Sequence, residues 1–210
     1  MGVLRQARSQ YLSPLLLVRN KTSGKIRIVT DFPKINKLIK PEHVPSAVTK
    51  DAFNQIGYSG AKFISIFDIK AAYHSLNLAK ECQKFTGVAP YVGAKTYVYE
   101  KVPMGLQIAG SQFIQYMEKA LDAIPNWRDF VFIIVDDICI FSRTVTEHIE
   151  HIRLILELMA EKGMRLSLEK AQIALPELRY MGFIISFDKK GHPVLNKNGG
   201  HNKLASTEEC

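Results

Sequence analysis

The sequence predicts a mixed α/β domain whose sheet carries acids at one edge, and three observations lead there. The run Phe130-Val131-Phe132-Ile133-Ile134-Val135-Asp136-Asp137-Ile138-Cys139-Ile140-Phe141 sets two adjacent carboxylates inside a strongly apolar stretch. An unpaired buried carboxylate costs several kcal/mol, so the simplest geometry is a β-hairpin with buried strands and both acids at its tip. Phe63-Ile64-Ser65-Ile66-Phe67-Asp68 reads as a second strand, rich in β-branched and aromatic residues, that also ends on an acid. Two segments with apolar residues at helical spacing, about 107–124 and 146–162, fall between and after these strands. Helices on one face of such a sheet would leave the other open to a bulky ligand, as in α+β layers.

Each element follows from its residues. Leu15 to Asn20 and Lys25 to Thr30 read as strands joined by Lys21-Thr22-Ser23-Gly24. Arg19, Lys21, Lys25 and Arg27 surround that turn and are expected to share one face, laying cations on phosphates. Ala47 to Ile56 reads as a short helix closed by Gly57. Ile69 to His74 is a helical turn, and Lys84 to Ala89 and Lys95 to Val102 are strands about a Pro90/Gly93 turn. Ala109, Phe113, Met117, Ala120, Leu121 and Ile124 give the next helix a buried face. Ile149, Ile152, Leu156 and Met159 do the same for the helix after the acid hairpin, which Gly163 ends. On that helix His148 and His151 read as a solvated pair, lacking further ligands for a metal. Strands at about 171–175 and 178–186 follow, and residues from 187 to 210 read as a polar tail.

With 210 residues and 47% apolar composition the chain can bury one core or two subdomains. Its apolar runs fall short of the ~20 residues of a membrane span, and Pro14 splits the apolar stretch near the N-terminus, so neither a membrane segment nor a signal peptide is expected. Cys82, Cys139 and Cys210 are odd in number and widely spaced, which excludes a disulfide framework and points to a reducing, cytoplasmic setting. A net charge of +8 combined with one acidic cluster fits a polyanionic partner that needs metal at one point. If the Asp68 strand lies beside the hairpin, three carboxylates meet. They suit two hard cations, Mg²⁺ or Mn²⁺, of the kind that clamp a phosphoryl transfer. A hairpin turn serving geometry alone would more often be Asn-Gly or Asp-Gly.

In order along the chain, these motifs resemble a reverse transcriptase of retroviruses and gypsy-like retrotransposons. Ser13-Pro14, Gly24-Lys25-Ile26-Arg27 and Asp31-Phe32-Pro33-Lys34-Ile35-Asn36-Lys37 resemble its fingers segment. Phe67-Asp68-Ile69-Lys70-Ala71-Ala72-Tyr73-His74, Val102-Pro103-Met104-Gly105-Leu106, Ile134-Val135-Asp136-Asp137 and Tyr180-Met181-Gly182-Phe183 resemble its palm motifs. The match runs over about residues 2–186 and implies a right-hand polymerase of fingers and palm, with an antiparallel palm sheet and helices on one face. The fingers would be about 1–60 and 84–105.

The resemblance implies RNA-directed DNA polymerase activity. Asp68, Asp136 and Asp137 would hold two Mg²⁺ ions with the Ile69 carbonyl. Lys21, Arg27, Tyr73, Met104, Gly105 and Lys170 would contact the incoming dNTP, Tyr73 as the gate against a 2′-OH. Tyr180, Met181, Gly182 and Phe183 would grip the primer of an RNA or DNA template-primer. Ile134 stands where the family has an aromatic, Pro33 where it has Arg, and Gly110 where it has Pro. A thumb, RNase H and integrase of a longer Pol polyprotein are expected beyond this chain, within a virus-like particle or host cytosol. The other reading is a catalytically inactive nucleic-acid-binding remnant with the same fold.

Overall fold

A computed structural model describes residues 2–19, 24, 26–40, 49–175, 177–180, 183–187, 193–197 and 200–202. The early elements are β1 (Leu4–Gln6), β2 (Leu12–Ser13), β3 (Leu15–Arg19), β4 (Ile26–Thr30), α1 (Pro33–Asn36), α2 (Thr49–Ser59) and β5 (Phe63–Asp68). Then come α3 (Ala72–Ser75), α4 (Lys80–Gln83), β6 (Gly87–Val88), β7 (Tyr97–Tyr99), α5 (Ala109–Leu121), β8 (Val131–Ile134) and β9 (Asp137–Ser142). The rest are α6 (Val145–Glu161), β10 (Gln172–Ile173), β11 (Glu177–Tyr180), β12 (Phe183–Phe187), β13 (Pro193–Lys197) and β14 (Gly200–Asn202). They form two compact units, Met1–Val44 with Ala71–Phe113, and Pro45–Lys70 with Ile114–Cys210.

In the first unit, β1, β7, β6 and β2 form a sheet in that order, with β2 and β6 parallel. Strands β3 and β4 form a separate two-stranded ribbon, pairing Val18 with Arg27 and Arg19 with Ile26. Directly opposed residues share a face and neighbours along a strand do not. Arg19 and Arg27 therefore lie on opposite faces, which corrects the expectation of one shared cationic face; Lys21 and Lys25 lie outside the described residues. The strands expected at 84–89 and 95–102 shrink to β6 and β7, because Lys80–Gln83 and Lys84–Thr86 turn helical instead.

The second unit holds the sheet β10-β5-β9-β8, antiparallel throughout. Helix α6 packs against β9 and β5. It begins at a capping box: the Glu147 N–H donates to Thr144 Oγ1 and the Thr144 N–H donates to Glu147 Oε2. Ile64, Ile66, Cys139, Phe141, Phe132 and Ile134 share a core with Leu178, Tyr180 and Ile185 of β11 and β12. The sheet face expected to stand open is thus partly covered by a second sheet, β11-β12-β13-β14.

Three boundaries differ from expectation for local reasons. Helix α2 runs through Gly57 to Ser59, since Ile56 is anchored in the core and the left-handed residue that ends the helix is Gly60, at φ +70°. The single strand expected at 178–186 is two strands, β11 and β12, in a hairpin. The polar tail contains β13 and β14, which extend that hairpin by backbone pairing from Phe183↔Lys197 to Phe187↔Pro193 and onward. Backbone ladders at a sheet edge need no apolar side chains, so hydropathy hides them.

Candidate active site

Strand β5 ends on Asp68 and β9 begins on Asp137, and the two are directly opposed across the ladder. Asp137 is opposed on its other side by Ile134 of β8. The tip of the hairpin is therefore Val135-Asp136, with Asp137 already inside the sheet. Val135 sits at φ +59°, a left-handed conformation that a β-branched side chain adopts only under constraint. The Ile69 N–H donates to the Asp136 carbonyl at 2.9 Å, tying the β5 exit to the acid turn. Beyond it, Ser167 N–H donates to the Asp68 carbonyl and Lys70 N–H to the Arg165 carbonyl, bridging Ile69 to Leu166.

The strained member of this cluster is Asp137. Partial burial, then Asp136, then Asp68 push Asp137 up to about 6, against the opposing pull of Lys170. Lys170 Nζ donates to Asp68 Oδ1 at 2.6 Å, an exposed lysine drawn onto the half-buried acid. Among the described residues, no three His, Cys, Asp or Glu side chains close around a metal ion in this conformation. The donor chemistry fits a hard divalent cation: oxygen ligands only, mutually repelling, with one ammonium already attracted.

Tyr180 is buried beneath this edge, where desolvation and the Asp137 charge push its phenol up. Its hydroxyl lies 3.5 Å from the Ile134 carbonyl. Met181 and Gly182, the next residues of the expected primer grip, lie outside the described residues, as does the Phe183 side chain. Ile134, where an aromatic was the family norm, is a core residue here.

In the other unit, Gly105 takes φ +97°, and a Cβ there would stand 2.8 Å from the Thr30 carbonyl. Asn36 braces the same loop: its Nδ2 donates to the Gly105 carbonyl and its Oδ1 accepts from the Gln107 N–H, each at 2.9 Å. By sequence Asn36 is only one position of a motif; its signal is a side chain able both to donate and to accept beside a glycine loop. Met104 is exposed, and Arg27 stands exposed on β4. Tyr73 on α3 is half-buried, its ring edge-on to Phe113 at 5.9 Å.

The histidine pair departs furthest from expectation. His148 is buried, not solvated, with Ser65 Oγ 2.7 Å from Nε2 and Ser142 Oγ 2.9 Å from Nδ1. His151 Nδ1 meets the same Ser142 hydroxyl at 2.8 Å, and its ring stacks on Phe130. Helical spacing alone could not reveal that two serines wait on the strands beneath.

The family model described as reverse transcriptase (RNA-dependent DNA polymerase) matches residues 18–185. The retrovirus-related Pol polyprotein from transposon gypsy of Drosophila melanogaster is 31% identical over 194 residues, covering 89% of this chain and 18% of that polyprotein. A foamy viral protease-reverse transcriptase in complex with double-stranded DNA superposes with a TM-score of 0.77 at 24% identity, over 93% of this chain and 32% of that one. The foamy viral enzyme in complex with RNA/DNA hybrid gives 0.75 at 23% identity, over 88% and 24%. A chain with an acid-tipped hairpin, an acid-ended partner strand and this match over most of its length belongs to the reverse transcriptase (RNA-dependent DNA polymerase) family.

Proposed function

We propose that this chain catalyses nucleotidyl transfer, adding deoxynucleotides to a primer 3′-OH on an RNA or DNA template. The observation that carries this reading is the direct opposition of Asp68 and Asp137, with Asp136 in the adjoining turn and Asp137 raised to about 6 by burial first and then by its acidic neighbours. Such a cluster has no structural use in a sheet edge and opposes folding there. Asp68, Asp136, Asp137 and the Ile69 carbonyl would hold two Mg²⁺ ions, which supply activation of the 3′-OH and charge neutralisation on the leaving pyrophosphate. Lys170, already on Asp68, would be released from that carboxylate and offer its proton to a phosphate oxygen. Arg27 and Lys21 would hold the triphosphate, Arg27 with two parallel donors. Met104 and Gly105 would line the nucleotide pocket, and Tyr73 would pack beneath the sugar and exclude a 2′-OH. Tyr180 to Phe183 would bear on the primer end.

The working site would act within a longer Pol polyprotein, in a virus-like particle or the cytosol, beside thumb, RNase H and integrase regions. The test is primer extension on an RNA template with dNTPs and Mg²⁺, by this chain and by a longer protein that adds a thumb. Extension that vanishes in Asp68→Asn and Asp137→Asn supports the reading. Template-primer binding without extension in either protein would overturn it in favour of an inactive binding remnant.

A further inference from the structure

Strands β5 and β9 are apolar on both faces: Ile64, Ile66, Cys139 and Phe141 lie on one face, and Phe63, Phe67, Ile138 and Ile140 on the other. The alternation that normally pins strand register is therefore missing. Yet the register decides everything at the acid edge, because only the observed one sets Asp68 opposite Asp137.

Ser65 and Ser142 break the apolar pattern, and they are placed to supply what it lacks. Ser65 is opposite Ile140 and Ser142 is opposite Phe63, so the two serines are diagonal neighbours on one face. Diagonal positions sit roughly 7–8 Å apart, too far for a direct hydroxyl–hydroxyl bond. One imidazole spans that gap: His148, 3% exposed, meets both hydroxyls. The protons can be assigned. Ser65 Oγ accepts from the Ala174 N–H, which it shares with the Ile64 carbonyl, both at 3.1 Å; among the described residues the acceptor facing its own proton is His148 Nε2. His148 Nδ1–H then donates to Ser142 Oγ.

We propose that His148 is a positioning residue: as a neutral imidazole it clips β5 to β9 through Ser65 and Ser142, and so selects the register that opposes Asp68 and Asp137. A slip of two residues in one direction would set the serines face to face with no room for the ring. A slip in the other would carry them beyond its reach. A slip of one would turn Ser142 to the opposite face. Each alternative leaves buried hydroxyls and an imidazole unsatisfied, and an unmet buried polar group bears its full desolvation cost. A polar cluster that specifies pairing at some cost in stability is an attested use of buried polar groups. Of the groups that meet His148, Phe63 and Ser65 of β5 and Ser142 of β9 carry no charge; the titratable neighbour it senses is His151 on its own helix. A second ring proton would make Ser65 accept twice and strand its own hydroxyl proton, so acid opens the clip.

The proposal borrows from the polymerase reading only the use to which the register is put, and its main readouts need no activity. In ¹⁵N-labelled parent chain, NMR should find His148 as the Nδ1–H tautomer and one set of cross-strand contacts, Asp68 to Asp137 and Ile66 to Cys139. His148→Phe, with native far-UV circular dichroism, should show a second set of contacts, or amide exchange at Ile138 to Ile140 faster by about tenfold or more. Ser65→Ala should show the same pattern more weakly, and it decides the matter if His148→Phe does not fold. An Nε2–H tautomer in the parent would overturn the clip. So would a single register with near-parental exchange in the variants that fold. In primer extension, His148→Phe should lower kcat with little change in KM. An inert parent would count against the polymerase reading and leave the register result standing.

Discussion

Asp68 and Asp137 face each other as register partners across β5 and β9, one ending its strand and the other beginning its own. Opposed like charges destabilise a sheet, and Asp136 in the adjoining turn adds to the repulsion. Asp137→Asn should therefore separate stability from function. At pH 7–8 the variant should be more stable by about 1–2 kcal/mol, discounted for solvent screening of a half-exposed group. Under the proposed function, primer extension should fall by roughly a thousandfold, as expected for losing one ligand of a metal-dependent transfer. Urea melts and primer extension on the same samples check both.

The same carboxyl gives the fold a pH signature with a definite sign. Asp137 is raised from 3.8 to about 6 in the folded chain, so on acidification the folded state takes up this proton first. Its destabilising effect is full above pH 6 and is relieved as pH falls from 6 towards 3.8. His148 runs the other way: burial, then His151, lower it from 6.5 to about 4, so its contribution is full above 6.5 and is lost as pH falls towards 4. Urea midpoints between pH 4 and 7.5 should thus fall more steeply on acidification in Asp137→Asn than in the parent, and less steeply in His148→Phe. Identical slopes in all three would contradict both assignments.

Val135 holds a left-handed conformation in the acid turn. Asn tolerates that region far better than a β-branched residue. Val135→Asn should raise stability by about 1 kcal/mol, or roughly 2–4 °C in Tm for a domain of this size. Differential scanning calorimetry gives the answer; an unchanged or lowered Tm would show that the turn is not strained.

Gly105→Ala should do local damage. The new Cβ would stand 2.8 Å from the Thr30 carbonyl on a backbone already at φ +97°. About 1–3 kcal/mol of destabilisation is expected, with a raised KM for dNTP. Asn36→Ala should give a milder form of the same phenotype, since it frees the loop without a clash. Wild-type KM values in both variants would detach this loop from the nucleotide.

Tyr73→Ala tests sugar selection. If the ring bars a 2′-OH, ribonucleotide incorporation should rise relative to deoxynucleotide by tens-fold, about 2 kcal/mol at 1.4 kcal/mol per decade. Single-nucleotide extension with dNTP and rNTP measures it. The same preference in variant and parent would remove Tyr73 from that role and leave it as the partner of Phe113.

Local sequence was enough for what depends on local chemistry. Apolar runs ending in acids marked β5, β8 and β9, helical periodicity marked α5 and α6, and the three aspartates could be named from their neighbours, whereas Gly105 came only through the family resemblance. Tertiary structure decided whatever depends on pairing. Arg19 and Arg27 parted because register, not proximity along the chain, assigns faces. Residues 193–202 became strands because an edge was there to receive their backbone. His148 changed from a surface residue to a buried bridge because Ser65, 83 positions away, and Ser142, 6 away, meet it only once β5, β9 and α6 are packed. Hydropathy and period report what one segment prefers in water. The partner that satisfies a buried polar atom is set by the fold as a whole.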